Sequence, residues 1–388
     1  MEISACVKYV GVNDHQVDLF EGQYKVPNGM SYNSYVILDD KIAIMDTVDG
    51  FFTEEWLNNV EQVLDGKMPD YLVIQHMEPD HSASIPAFLK KYPKVTVVST
   101  AKGFQFMEQF FPEFFAGQGL PAEQRIVAAN DGVLELGQHS LHFVYAPMVH
   151  WPEVMMTYEA TEKILFAADG FGKFGALDAE EEWADEARRY YIGIVGKYGP
   201  QVQAVLKKAA GLDIQTICSL HGPVLKENLG FYLEKYDKWS SYQPEESGVV
   251  IAYASVYGNT RNAAEYLADV LQEKGQKTVL YDLARCDKAK AVADAFRYDR
   301  LVLAGITYNG DLFPCMRSFI EGLTERNYQN RKVAIIENGT WAPMAGKLIL
   351  GMFEKSKNLT FTETTVSIKS AMNAQNKGEI GKLAEELC

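Results

Sequence analysis

The hexapeptide His76-Met77-Glu78-Pro79-Asp80-His81 places four side chains able to bind metal directly after the apolar run Tyr71-Leu72-Val73-Ile74. A strand ending in such a cluster brings imidazole nitrogens and carboxylate oxygens to one place, which suits a pair of metal ions. The mixed donor set fits zinc, iron or manganese, and the hard anionic oxygen of Glu78 tilts it toward redox iron. Three more candidates each close an apolar stretch: His150 in Met148-Val149-His150-Trp151-Pro152-Glu153, Asp169 after Ile164 to Ala167, and His221 in Leu220-His221-Gly222-Pro223. Singly, a His or Asp at a strand end is explained as well by a turn former or a satisfied polar group. Their joint pattern points to one centre. His15, His139 and His142 lack that context and read as surface or strand residues.

A second constellation lies near the other end of the chain. The apolar run Val249 to Ala254 leads into Ser255-Val256-Tyr257-Gly258-Asn259-Thr260, and a helical pattern follows. Hydroxyl and backbone N–H donors at a helix N-terminus, with a glycine for close approach, make an anion site suited to a terminal phosphate. No Gly-Lys-Ser/Thr ending is present, which disfavours a nucleoside triphosphate loop. Thr307-Tyr308-Asn309-Gly310 and Asn338-Gly339-Thr340-Trp341-Ala342 follow the next two central strands, at the carboxyl ends where an open α/β sheet binds its ligand.

The elements that must position these groups differ between the two parts of the chain. In the first, Tyr35 to Leu38 and Ile42 to Met45 flank Asp39-Asp40-Lys41 as a hairpin. Strands follow at Val95 to Ser99, Leu141 to Tyr145 and Ile164 to Ala167, with helical patterns at Glu54 to Leu64, Ile85 to Lys91 and Glu182 to Ala210. This irregular mixture suits an α/β sandwich whose loops carry the ligands. The polar stretch from Ser240 to Gly248 reads as a linker, which divides the chain into 1–247 and 248–388. Beyond it, five strands alternate with helices in the manner of a doubly wound parallel sheet.

A length of 388 residues supports two such domains. The formal charge of −15 disfavours nucleic-acid and anionic-membrane partners, both of which need a basic face. No run approaches the roughly 18 apolar residues of a membrane span, and the start of the chain lacks the pattern of a signal peptide, so the expected location is cytoplasmic. Five scattered cysteines (Cys6, Cys218, Cys286, Cys315, Cys388) without a Cys-x-x-Cys argue against a disulfide framework or a cysteine-ligated metal.

The order His-x-Glu-x-Asp-His, His, Asp, His-Gly-Pro resembles the metallo-β-lactamase superfamily and, within it, the flavodiiron proteins, which carry Glu where the hydrolases carry a second His. Tyr32-Asn33-Ser34-Tyr35, His150-Trp151-Pro152 and the loop from Asp169 to Gly172 extend the match. The resemblance implies a metallo-β-lactamase-like αββα sandwich followed by a flavodoxin-like five-stranded parallel sheet. It implies one iron held by His76, Glu78 and His150, a second by Asp80, His81 and His221, and Asp169 bridging both. For His81 the family offers two behaviours, ligation or turning away, and the sequence leaves both open. The three later loops look like an FMN site, with Ser255, Val256, Tyr257, Gly258, Asn259 and Thr260 on the phosphate. Thr307, Tyr308, Asn309, Gly310, Asn338, Gly339, Thr340, Trp341 and Ala342 then flank the isoalloxazine, with Trp341 as the stacking residue.

By the same resemblance, the expected activity is reduction of dioxygen to water, of nitric oxide to nitrous oxide, or of both. Electrons would pass through FMN to the diiron centre. With no rubredoxin or flavin-reductase module expected after the flavodoxin unit, they would come from a separate donor, rubredoxin or a reduced deazaflavin. A homodimer arranged head to tail, or a tetramer, would bring one subunit's flavin to another's irons. Tyr24, Lys25, Trp151 and Phe174 are candidates for tuning the choice of gas. The rival readings are a zinc hydrolase with a flavodoxin-like appendage and a noncatalytic electron carrier.

Overall fold

The computed structural model of the protein describes residues 3–117 and 120–388. The chain forms two compact units, one of residues 1–190 and 200–236, the other of residues 191–199 and 237–388.

In the first unit, two sheets share a core. The strands of one are, in spatial order, Val7–Tyr9, Tyr35–Ile37, Ala43–Met45, Tyr71–Val73, Thr96–Ser99 and Arg125–Val127. Those of the other are Val133–Glu135, Ser140–Tyr145, Met155–Glu159, Ile164–Phe166 and Thr216–Cys218. The hairpin read around Asp39-Asp40-Lys41 is present, with Tyr35 opposite Met45. Because side chains alternate along a strand, Tyr35 and Ile37, Ala43 and Met45 point the same way. They pack with Val73 and Val98 against Phe143, Met155, Ile164 and Phe166. Helices Thr53–Leu64 and Ile85–Lys91 pack on each other through buried Trp56 and Phe88, whose rings lie 5.4 Å apart.

The stretch from Glu182 to Ala210 is not the single helix that its periodicity suggests. It is an α-helix over Trp183–Tyr190, a π-helical turn over Tyr191–Val195, a 3₁₀ turn over Gly196–Tyr198 and a second α-helix over Gly199–Ala209. Gly193, Gly196 and Gly199 remove the side chains that would favour a continuous helix, and Pro200 supplies no N–H to the turn before it. The supposed linker is also more ordered than its polarity suggests. Helix Leu229–Ser240 runs into it, and the next strand begins at Glu246.

The second unit contains a parallel sheet in the order Thr278–Asp282, Glu246–Tyr253, Tyr298–Tyr308, Lys332–Asn338, Thr360–Ile368. In chain order this is 2-1-3-4-5, the flavodoxin-like arrangement, whose switch point lies beside the first strand. The short strand Asp311–Leu312 adds antiparallel to the end of Tyr298–Tyr308. Val249, Val250, Ile251 and Ala252 are buried without alternation, as expected for a central strand covered on both faces.

Candidate metal centre and flavin cleft

Four of the candidate metal ligands stand beyond the carboxyl end of a strand. His76 follows Tyr71–Val73, His150 follows Ser140–Tyr145, Asp169 follows Ile164–Phe166, and His221 follows Thr216–Cys218. The last three strands run in one direction. Pro79 starts the helical turn Pro79–Ser82, which carries Asp80 and His81. Its missing N–H is harmless at that first position.

The seven groups form two clusters. His76, Glu78, His150 and Asp169 make one, Asp80, His81 and His221 the other, with donor atoms within 4.8 Å of one another in each. In the first, His76 Nε2 and His150 Nε2 are 3.3 Å apart, and Glu78 Oε2 lies 3.2 and 3.0 Å from them. In the second, His81 Nε2 and His221 Nε2 are 3.0 Å apart, each 3.3 Å from Asp80 Oδ2. His81 therefore faces into its cluster. Asp169 divides its carboxylate: Oδ2 is 3.3 and 3.0 Å from His76 and His150, Oδ1 is 3.4 and 3.8 Å from His81 and His221.

These separations fit metal ligands. Donors on bonds of about 2.1 Å lie roughly 3.0 Å apart at right angles and roughly 3.4 Å apart at the tetrahedral angle. Hydrogen bonding does not account for the arrangement, since both oxygens of Asp80 and both of Asp169 are buried without an oriented donor despite the close nitrogens. Leaving so many carboxylate oxygens unsatisfied is costly unless a cation completes them.

The tautomers agree. His221 Nδ1 is 2.7 Å from the carbonyl oxygen of Ser31, which can only accept, so Nδ1 carries the proton and Nε2 keeps its lone pair. His76 Nδ1 likewise donates to Glu153 Oε1 at 2.8 Å, and the same oxygen accepts from Met77 N at 3.0 Å. Buried Asp46 accepts from Gln75 N at 2.7 Å and from its side-chain amide at 2.9 Å, which anchors the strand end leading to His76. Asn33 donates its side-chain amide to the carbonyls of Ser219 and Gly222, bracketing His221. The Tyr32-Asn33-Ser34-Tyr35 motif thus acts on the loop that carries His221. Glu153, Ser31 and Asp46 received no role from the sequence; Glu153 stands in the quoted His150 motif but serves His76, on another strand.

Electrostatics follow from this geometry. Burial alone would lower the pKa of His76, but Asp169, Glu153 and Glu78 outweigh it and hold the imidazole well above its usual range. For His150, burial is likewise overcome by Asp169 and Glu78, which push it up to about 9. Burial opposes ionisation of Asp169 and Glu78, yet the histidines around them hold both below the usual carboxylate range. Asp46 goes the other way: burial raises it to about 6 against its hydrogen bonds from Gln75. Aromatic rings wall the clusters. Phe20, Tyr32 and Tyr190 lie 5.4 to 6.0 Å from the His221 ring, and Trp151 lies 5.3 Å from His76. Phe174 packs on Tyr24 and Tyr190, while Lys25 is exposed.

The three later loops enclose a cleft of about 520 Å³ at the carboxyl ends of the parallel strands. Ser255, Val256, Tyr257, Asn259, Thr260, Thr307, Tyr308, Asn309, Gly310, Asn338, Gly339, Thr340, Trp341 and Ala342 line it, joined by Ile306, Met344 and Ser370. Gly258 is absent from the wall. It makes the turn instead, with φ of 91° just ahead of helix Asn259–Glu273, its N–H donating to Ser255 Oγ at 3.1 Å. Asn338 ties two loops together through Thr260 Oγ1 and the backbone of Ser370. Trp341 and Tyr257 are 89% and 92% exposed, and large rings left open beside a cleft fit a planar aromatic ligand. The hydroxyls of Ser255 and Thr260 and the N-terminus of helix Asn259–Glu273 in the same cleft fit a phosphate.

Comparison with known proteins agrees with both halves. Residues 30–222 match the ODP family of β-lactamases and residues 250–357 the flavodoxin domain. The flavodiiron protein from Giardia intestinalis superposes with a TM-score of 0.91 at 25% identity, covering 100% of this chain and 96% of that one. The chain belongs to the flavodiiron protein family. An anaerobic nitric oxide reductase flavorubredoxin of Vibrio vulnificus is 27% identical over 96% of the chain and 75% of its own length. Diflavin flavoprotein A 1 of Synechocystis is 33% identical over 71% of the chain, which spans only 48% of that relative. This flavodiiron protein is an oxidoreductase whose cofactors are FMN and a non-haem diiron centre. None of its helices is long and apolar enough to cross a membrane, among the described residues.

Proposed function

We propose that this protein reduces nitric oxide to nitrous oxide, dioxygen to water, or both, at a diiron centre on residues 1–247, with electrons received through FMN on residues 248–388. The observation that carries the reading is the divided carboxylate of Asp169, one oxygen toward each histidine cluster, which suits two ions sharing a bridge. When bound, the irons and the flavin would supply the electrons for reduction of the gas.

The protein's own contribution is positioning. His76, Glu78 and His150 would hold one ion, Asp80, His81 and His221 the other, with Asp169 available to both. Three carboxylates offset much of the charge of two divalent ions in a buried site. Glu153 and the Ser31 carbonyl keep protons on Nδ1 of His76 and His221, so that both rings present Nε2. Phe20, Tyr32, Tyr190 and Trp151 limit water beside the ions. In the cleft, Trp341 would stack on the flavin ring, while Ser255, Asn259 and Thr260 would take the phosphate.

The donor is rubredoxin or another reduced carrier such as a reduced deazaflavin, and the active unit is a head-to-tail homodimer or a tetramer, in cytoplasmic surroundings. Family membership supports the donor and the assembly, and the sequence supports the location. The test is metal analysis of the purified protein followed by steady-state consumption of each gas with a chemical reductant. Two irons per chain and turnover of at least one gas are expected. Zinc without iron, and turnover of neither gas, would restore the hydrolase reading.

A further inference from the structure

We propose that Cys6, His139 and Glu162 form a third metal site, sharing no residue with the diiron centre, that binds one divalent cation of borderline softness, zinc by preference. The Cys6 sulfur, a His139 nitrogen and a Glu162 carboxylate oxygen lie within 4.8 Å of one another. They come from three separate segments of the first unit. Cys6 directly precedes strand Val7–Tyr9, His139 lies in the turn before Ser140–Tyr145, and Glu162 lies in the turn before Ile164–Phe166. The absence of a Cys-x-x-Cys does not bear on such a set, because its members are far apart in sequence.

Glu159 organises the site from behind. It is fully buried, with Oε1 accepting from Thr161 N at 2.8 Å and 3.1 Å from His139 Nδ1, while Oε2 accepts from Glu162 N at 2.7 Å. One carboxylate thus fixes both the turn that presents Glu162 and the tautomer of His139 that keeps the lone pair on Nε2. A carboxylate behind a histidine is the usual outer partner of a metal-bound imidazole. His139 is 4% exposed in the hairpin turn, neither the surface nor the strand residue that the sequence suggested.

An independent observation points to a cation. Glu162 Oε2 is sealed from solvent with no hydrogen-bond partner, a costly state for a carboxylate that a bound cation relieves. Asp39 adds negative charge nearby, accepting from the His139 N–H at 2.7 Å. Cys6 and Glu162 are partly exposed, which leaves a path for a small ion. Thiolate, imidazole and carboxylate in one set suit zinc, with water in the fourth position. Burial, then the charges of Glu162 and Asp39, hold the Cys6 thiol above its usual pKa, so zinc binding displaces the thiol proton to solvent.

The test uses iron-loaded, FMN-replete protein incubated with zinc and freed of excess by gel filtration, with zinc, iron and FMN measured per chain. The wild type should retain one zinc beyond unchanged iron. Cys6→Ser and Glu162→Gln should lose it while keeping iron and FMN, and Glu159→Gln should bind roughly 10- to 100-fold more weakly. Cobalt(II) should give a thiolate-to-metal charge-transfer band that Cys6→Ser abolishes. Zinc gained only at the cost of iron, no retained zinc, or full retention by Cys6→Ser would overturn the proposal.

Discussion

Replacing Glu153 by Gln isolates the support of one imidazole while leaving every proposed ligand in place. Glu153 is 3% exposed, and its Oε1 receives both the His76 ring proton at 2.8 Å and the Met77 amide at 3.0 Å. An amide oxygen can keep both contacts, so the His76 ring stays in position. The charge is lost, and the new NH2 falls at Oε2, which is buried without a partner. A hydrogen bond to a charged group contributes about 1.5–3 kcal/mol, and loss of an outer carboxylate typically weakens metal binding about 10- to 100-fold, or roughly 1.4–2.7 kcal/mol. Chelator competition on iron-loaded protein reads this directly, with FMN content reporting that the fold survives. The iron in the cluster of His76, Glu78 and His150 should be lost at about 10- to 100-fold lower chelator concentration than in the wild type. A titration superimposable on the wild type would refute the argument that Glu153 sets the basicity of His76.

Asp169→Asn should weaken both clusters, because each of its oxygens faces one of them, and iron should fall toward zero per chain instead of toward one; retention of both irons would contradict the bridge. Trp341→Ala should weaken FMN binding by about 1–2 kcal/mol, roughly 5- to 30-fold. It should leave stability within about 0.5 kcal/mol, since the ring is 89% exposed, and a fluorescence titration beside a thermal melt separates the two effects. The raised pKa of His150, about 9, has a definite sign. Protonation of this ring stabilises the metal-free fold fully below its unfolded pKa of roughly 6.5, and that contribution is lost as pH rises toward 9. Melts of chelated protein should therefore fall in temperature across this window. Iron binding, which displaces the proton, should tighten over the same range.

What the sequence revealed and what it hid have physical causes. The parallel sheet was legible because its central strands are continuous apolar runs such as Val249 to Ala254, buried on both faces, and the turns between elements carry Gly and Asn. The candidate ligands His76, His150, Asp169 and His221 were legible because each follows an apolar strand, a local property. His81 was not resolved by sequence, since its direction depends on the turn Pro79–Ser82, where its Nε2 comes within 3.0 Å of that of His221. The break-up of Glu182 to Ala210 was hidden because apolar spacing persists through Gly193, Gly196 and Gly199 while the hydrogen-bond pattern changes. Glu153 was hidden because it supports a histidine 77 residues away. The group of Cys6, His139 and Glu162 was hidden for the same reason, being assembled from an edge strand and two turns.

Rapid mixing of the fully reduced, iron-loaded protein with nitric oxide, and separately with dioxygen, tests the central claim most directly, with flavin absorbance as the readout. Fast flavin reoxidation by at least one gas in the wild type, and its loss in Asp169→Asn with FMN still bound, is the predicted result. Slow reoxidation by both gases in protein carrying two irons and one FMN per chain would contradict it.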